Sequence, residues 1–384
     1  MLEYSMNDYV RKNELRDYAG YEPPGKIDLD CSLGVNGKDL PELIFEKLHA
    51  FNLNNKDDIK HYPHDESLLH RLADYYNAKG AAWLRKENFV LGDGSYDILC
   101  NINMMCLTRD QAVLGHAPQF PAYVDHVTFS GSKYDCYQLP KDTNYKFEAH
   151  GYIEKMNRLS QRLFIVENPN NPTGQVIPID ELRRIADKSM EFHRILIVDE
   201  AYGDYLPFQN SSINLIPNHP NVIVTRTFSK GFGMAGMRLG YAVASLESDL
   251  LTQLKKLERP FNCNGIARIL AHAMLNSGVD MIDSSRVRTN KNAIIRYISE
   301  CCPKFGVATT DLNTPIMTVY YKMGAPPPGF DLRGVMAERA KLLTVSCSTY
   351  MGLDGGAVRI MLPLKNEDIE RLKGMLKTVN DYLP

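Results

Sequence analysis

Short, predominantly apolar runs recur through the first two thirds of the chain, at Phe89-Val90-Leu91 and at residues 112–114, 163–166, 195–198 and 222–225. Each is too short for a helix and lacks the alternation of a half-solvated strand, so each reads as a strand buried on both faces. Turn-forming or polar residues close every run, and helical periodicities such as 179–188 lie between several of them. The alternation predicts a doubly wound α/β domain with a mostly parallel sheet, its ligand crevice at the C-terminal ends of the strands.

The flanks differ in texture. Residues 1–40 are polar and punctuated by Tyr21-Glu22-Pro23-Pro24-Gly25, which predicts an arm lying across a larger body. A short helix is expected over 41–53, and the apolar positions Leu68, Leu69, Leu72, Ala73 and Tyr76 predict an amphipathic helix beginning at Ser67. Beyond Pro260-Phe261-Asn262-Cys263-Asn264 come a long helical region (265–300), strands at 316–321 and 357–361, and a final helix over 366–382. These predict a smaller α+β domain. The expected division is an arm with part of the small domain (1–40), a large domain (41–265) and a small C-terminal domain (266–384).

Candidate chemistry concentrates in Thr227-Phe228-Ser229-Lys230-Gly231-Phe232-Gly233-Met234-Ala235-Gly236-Met237-Arg238-Leu239-Gly240, a lysine among hydroxyls and glycines between two apolar runs. Gly231, Gly233 and Gly236 satisfy G-x-G-x-x-G. A dinucleotide turn, however, needs its glycines directly after a strand and opening a helix. Here Ser229 and Lys230 intervene and a strand-like segment follows, so the match is discounted. Gly92-Asp93-Gly94-Ser95 is a better anion site, because a glycine turn there leads from a strand into a helical segment with free N–H groups.

Composition narrows the partners. The 384 residues are 44% hydrophobic and 23% charged with a formal net charge of −2, which leaves no electrostatic footprint for nucleic acid or an anionic membrane. Eight cysteines without a C-x-x-C pair read as reduced thiols of a cytoplasmic protein. The first residues lack the basic start and apolar core of a signal peptide, and no apolar run approaches the ~18 residues of a membrane span. His61, His64 and His70 have no metal-binding spacing, so no metal is expected, and His64 and His70 read as surface or interface groups. No G-x-S-x-G elbow points to a hydrolase.

Four further polar clusters close apolar runs: Gly92-Asp93-Gly94-Ser95, Pro118-Gln119-Phe120-Pro121-Ala122-Tyr123, Asn168-Pro169-Asn170-Asn171-Pro172-Thr173-Gly174 and Asp199-Glu200-Ala201-Tyr202. With the lysine stretch, their order and spacing resemble those of class I/II pyridoxal-phosphate aminotransferases of fold type I, most of all the histidinol-phosphate aminotransferase group. Taken singly, most of these residues would be ordinary turns, strand ends or packing. Their joint occurrence in order carries the resemblance.

The resemblance implies that Lys230 holds pyridoxal 5'-phosphate as a Schiff base and moves the α-proton, while Asp199 keeps the pyridine nitrogen protonated. Asn171 and Tyr202 would bond the ring's phenolic oxygen and Phe120 would stack on its face. Gly94, Ser95, Ser229 and Arg238 would hold the phosphate, joined by Tyr62 from a neighbouring subunit, which implies a homodimer with shared active sites. Arg359 would clamp the substrate α-carboxylate as a bidentate pair, and Tyr21 and Asp93 are further substrate-binding candidates.

The sequence departs from that group in two places. Asp93 stands where a neutral residue is usual; it either faces away and caps the helix or meets a cationic group of the substrate. Ser346 falls where histidinol-phosphate enzymes carry a phosphate-binding arginine, which points to another amino acid, one with a basic or polar side chain. The same scaffold supports decarboxylation, elimination or oxidation as alternatives to transamination, and a non-catalytic ligand-binding module as a remote one.

Overall fold

The computed structural model describes residues 7–16, 21–23, 25–54, 61–63, 66–158 and 161–384; His64 and parts of the N-terminal arm lie outside them. The arm supplies helix α1 (Asp8–Lys12) and strand β1 (Leu29–Asp30), and helices α2 (Glu42–Asn54) and α3 (Ser67–Asn77) follow. Then come β2 (Phe89–Gly92), α4 (Ser95–Cys106), β3 (Ala112–Ala117), α5 (Pro121–Phe129), β4 (Lys133–Gln138), α6 (Ala149–Arg158), β5 (Leu163–Glu167), α7 (Ile179–Glu191), β6 (Ile195–Asp199), β7 (Val222–Thr227) and β8 (Gly240–Ala244). The strands form one seven-stranded sheet in the order β2-β8-β7-β6-β5-β3-β4. Within it only β8 runs against its neighbours.

Every residue of β2, β5, β7 and β8 is buried, as expected of strands covered by helices on both faces. The edge strand β4 went unrecognised in the sequence because its pattern is half-exposed and polar, and only pairing with β3 reveals it.

The remainder comprises α8 (Leu250–Lys255), α9 (Gly265–Asn276), α10 (Ser284–Cys301), β9 (Phe305–Val307), β10 (Ile316–Tyr321), α11 (Leu332–Ala340), β11 (Leu342–Leu343), β12 (Val345–Ser346), β13 (Ala357–Met361) and α12 (Asn366–Tyr382). The single helical region expected over 265–300 is two helices. Gly278 takes a left-handed φ of 63° after α9, and the Asp283 side chain accepts from Arg286 N to start α10 afresh.

That break also moves the change of core away from residue 265. Ala267, Leu270, Ala271 and Met274 of α9 pack with the large sheet's core, whereas Ile294 and Ile298 of α10 pack with Met317, Val358, Leu372 and Leu376 in the second. Leu29 and Cys31 belong to this second core, because β1 pairs in parallel with β11. The intervening residues 32–36 cross between the cores at the ends of β5, β6 and β7, where the site lies.

Candidate active site

A cavity of about 360 Å³ opens at those strand ends, lined on one side by Ser95, Phe120, Glu167, Asn171, Asp199, Tyr202, Ser229, Lys230 and Arg238. β6 ends at Asp199, whose Oδ1 accepts from Thr225 Oγ1 at 2.9 Å and Ala201 N at 3.2 Å. Oδ2 has no protein donor among the described residues. Burial pushes this carboxyl up to about 6, against the opposing pull of its two hydrogen bonds and of the Lys230 charge.

Lys230 follows β7 in the expected loop. Its Nζ has no hydrogen-bond partner among the described residues and lies 5.4 Å from the centroid of the buried Tyr202 ring. The arm fixes this loop: Asn36 N donates to Lys230 O at 3.2 Å, and Asn36 Nδ2 donates to Gly231 O at 2.8 Å.

A cationic cradle occupies one end. Gly94 takes a φ of 85° and leads into α4 at Ser95; a Cβ at Gly94 would stand 2.9 Å from Arg238 Nη2, so glycine is required there for Arg238 to approach. Arg238 Nη1 lies 3.5 Å from Ser229 Oγ, which also accepts from Thr227 Oγ1 at 2.9 Å. Guanidinium, hydroxyl and the N-terminus of α4 thus address one point, as a phosphate dianion requires.

At the other end, Arg359 on β13 is 4% exposed. Its Nη1 donates to Asn171 Oδ1 at 2.9 Å and its Nη2 to Ser32 O at 2.9 Å. Tyr202 Oη donates to Gly34 O at 3.4 Å. Phe120, at the start of α5, lines the cavity and has Tyr96 edge-on to it at 6.0 Å. Tyr21 also lines the cavity and lies under the Arg333 guanidinium, 3.9 Å from ring centroid to Cζ.

Two candidates lie elsewhere. Asp93 does not line the cavity. Its Oδ2 pairs with Arg259 Nη2 at 2.9 Å and its Oδ1 accepts from Cys263 N at 3.1 Å, so the carboxylate spends its charge on the segment before α9 rather than on a ligand. Nor does it cap α4, whose N-cap is Gly94. Tyr62 stacks on Phe261 with centroids 4.4 Å apart and is 69% exposed, outside its own chain's cavity.

Sequence reasoning missed three contributors. Residues 32–36 of the arm supply backbone acceptors, which no side-chain motif announces. Arg333 opens α11 after a Pro- and Gly-rich stretch and reads there as a surface charge. Glu167 did carry a signal, as a carboxylate ending the apolar run of β5. Ser346 is buried, bonded to Ser348 Oγ at 3.1 Å, and only its neighbours Leu343, Thr344 and Val345 reach the cavity.

The residues present fit pyridoxal phosphate. An unpartnered amine, a buried acid with a spare oxygen and a cationic cradle share one cavity of suitable size. Among the described residues no helix is long and apolar enough to cross a membrane, and no cluster of three metal-ligating side chains occurs.

Comparison with known proteins agrees with this geometry. The family model for aminotransferase class I and II matches residues 33–375. A histidinol-phosphate aminotransferase of Clostridium novyi (strain NT) is 28% identical over 296 residues, covering 75% of this chain and 78% of the relative. Histidinol-phosphate aminotransferase 2 of Legionella pneumophila (strain Lens) is 32% identical over 272 residues, 67% of this chain and 69% of that one. In structure, histidinol-phosphate aminotransferase from Sinorhizobium meliloti in complex with pyridoxal-5'-phosphate superposes with a TM-score of 0.76 at 18% identity, covering 100% of this chain and 99% of that one. Alanine aminotransferase from Pyrococcus furiosus reaches 0.80 at 20% identity, with 93% of each chain covered. The chain therefore belongs to the class I and II aminotransferases, fold type I enzymes that transfer amino groups with pyridoxal phosphate.

Proposed function

We propose that the chain moves the α-amino group of an amino acid with an anionic side chain to a 2-oxo acid, as a cytoplasmic homodimer with shared active sites. The observation that carries this reading is Lys230 Nζ, unpartnered among the described residues, in a cavity with Asp199 and the Ser229–Arg238 cradle.

When bound, pyridoxal phosphate supplies an aldehyde that takes up the amino group and a protonated ring that draws electron density from the α-carbon. Ser229, Arg238, Gly94 and Ser95 would hold its phosphate, and Asp199 would pair with the ring nitrogen. Tyr202 and Asn171 would bond its phenolic oxygen and Phe120 would cover a ring face. Lys230 Nζ would hold the aldehyde end and serve as the base that moves the α-proton. Arg359, held by Asn171 and Ser32, would meet the α-carboxylate.

The substrate class follows from charge. Arg333 shares the substrate end with Arg359, and its Nε is buried with no hydrogen-bond partner among the described residues; its contact to Asp331 Oδ2 is long, at 3.5 Å. The carboxylates that line the cavity, Glu167 and Asp199, are held by N–H and O–H donors on the cofactor side. With Arg359 given to the α-carboxylate, the Arg333 guanidinium at the substrate end repels a basic side chain and attracts an acidic one, in place of the basic or polar side chain expected from the sequence. The exposed Tyr62–Phe261 pair supports a dimer in which Tyr62 reaches the partner's phosphate site. The eight free cysteines suit a reducing cytoplasm.

The test is a panel of amino acids, including histidinol phosphate, supplied with and without a 2-oxo acid while 2-oxo acid, ammonia and oxygen are followed. Acceptor-dependent turnover, fastest with glutamate, aspartate or a phosphorylated amino acid, is expected. Acceptor-free ammonia release or oxygen uptake refutes transamination. Preference for histidinol phosphate over every α-amino acid refutes the substrate assignment.

A further inference from the structure

Glu167 is 3% exposed at the end of β5, yet it lines the cofactor side of the cavity. Its two oxygens serve different elements. Oε1 accepts from Phe120 N at 2.9 Å, at the start of α5. Oε2 accepts from Asn171 N at 3.1 Å and Asn170 Nδ2 at 2.9 Å, in the turn after β5. In the sheet Glu167 stands directly beside Asp199 of β6. One carboxylate therefore joins Phe120, Asn171 and the neighbourhood of Asp199, three residues that would hold the cofactor.

We propose that Glu167 is a positioning residue of the cofactor site, which rests on the functional reading above: its carboxylate fixes Phe120 and Asn171 together and sets a second negative charge beside Asp199.

The chemistry requires a carboxylate. Both oxygens meet only N–H donors, so each must accept, and a carboxylate is the side chain that accepts at both ends. Glutamine would turn an NH₂ against either Phe120 N or the Asn170 and Asn171 donors. Aspartate keeps the charge but is one methylene short of spanning both. Burial and the Asp199 charge raise the proton affinity of Glu167, while its three N–H bonds act in the opposite direction and leave no acceptor for a carboxyl proton.

The titratable and charged groups around it are few. On β3, His116 is neutral, since burial pushes it down to about 4, and its Nε2 accepts from Glu167 N at 3.2 Å. Tyr134 on β4 keeps its proton, raised by burial and by Glu167 itself, and donates to His116 O at 2.9 Å. Asp199 and Lys230 line the same cavity, and Arg359 reaches Asn171 Oδ1. A negative charge at Glu167 stabilises any protonated nitrogen of the bound cofactor, so the pH midpoint of its visible absorbance reports that charge.

The experiment titrates pyridoxal phosphate into wild type, Glu167→Gln and Glu167→Asp, and follows cofactor Kd, the pH midpoint of the bound absorbance and apoprotein melting. Glu167→Gln is expected to raise Kd about tenfold and to move the midpoint down by about 0.5–1 pH unit. Glu167→Asp should raise Kd similarly while keeping the wild-type midpoint, because it loses reach and retains charge. Should Glu167→Gln fail to fold, that aspartate split decides alone. Variants that melt lower but match wild type in Kd and midpoint would show a purely structural role and overturn the inference. Wild-type protein that takes up no pyridoxal phosphate overturns the functional reading itself, a result distinguishable from failure of Glu167 alone.

Discussion

Arg359 donates to both Asn171 Oδ1 and Ser32 O, so its plane is fixed before any substrate arrives. Lysine at this position keeps the charge and loses the planar fork. Arg359→Lys should raise KM for the amino acid about tenfold or more, with the cofactor absorbance unchanged; an unchanged KM would remove Arg359 from the site. Asp199 gives a pH prediction on the apoprotein. Its folded carboxyl titrates at about 6, above the ordinary aspartate range, so the folded state keeps a proton that the unfolded chain has released. That contribution favours folding below the ordinary range and disappears as pH rises through about 6. Relative to wild type, apo Asp199→Asn should therefore gain roughly 2–3 kcal/mol between about pH 4 and pH 7. A stability difference that stays flat over this range in denaturant melts would contradict the assignment. Lys230, Asp199 and Arg238 were legible from the sequence because each sits in a motif beside a strand end. Arg333 was not, since nothing local distinguishes a guanidinium that points into a cavity from one that points into water.

At the scale of elements, one buried lysine secures the turn that carries Asn171. Lys291 on α10 is fully buried, and its Nζ donates to Thr310 Oγ1 (2.5 Å), Asp311 O (2.6 Å), Thr314 O and Oγ1 (2.9 and 2.8 Å) and Ile316 O (2.7 Å). The loop it gathers holds Gly174 in turn: Gly174 O accepts from Thr314 Oγ1 at 2.7 Å and from Asp311 N at 3.0 Å. Gly174 has a φ of 72°, and a Cβ there would meet the Ile316 carbonyl, so the turn after β5 packs directly on the loop before β10. Burial drives the ammonium toward losing its proton, and the five oxygens oppose that loss. Lys291→Met removes the one donor that these five oxygens share. It should cost about 3 kcal/mol or more and weaken cofactor retention through Asn171. Wild-type melting and retention would show that the cage is idle. The composition of 310–316 marks a turn, but only folding brings α10 against it.

For the whole molecule, the exposed Tyr62 decides whether the site is complete in one chain. In a two-fold dimer that shares its sites, each site takes Lys230 from one subunit and Tyr62 from the other. Neither Lys230→Ala nor Tyr62→Ala protein should be active alone. After mixing and reassociation, about a quarter of the sites hold both native residues, so activity should return to roughly that fraction of wild type. No recovery above the parent variants, with dimers verified by sedimentation, would place Tyr62 outside the shared site.

The sequence by itself determined most of the elements and placed most of the candidate cofactor residues beside strand ends. Strands β5, β6 and β7 each begin as an apolar run and end in polar residues that follow it directly in the chain, so those residues are positioned locally in sequence. Tertiary structure decided what depends on distant segments meeting. It paired β1 with β11, bringing Ser32, Gly34 and Asn36 over the strand ends. It turned Asp93 toward Arg259 and away from the cavity. It also aimed Arg333 and Arg359, from α11 and β13, at one space. A carboxylate or guanidinium has the same appearance in a sequence whether it meets water, a partner or a ligand. Which of these it meets is fixed by long-range packing, and that is why the reaction could be read from the chain while the meeting of Arg333 with Arg359 could not.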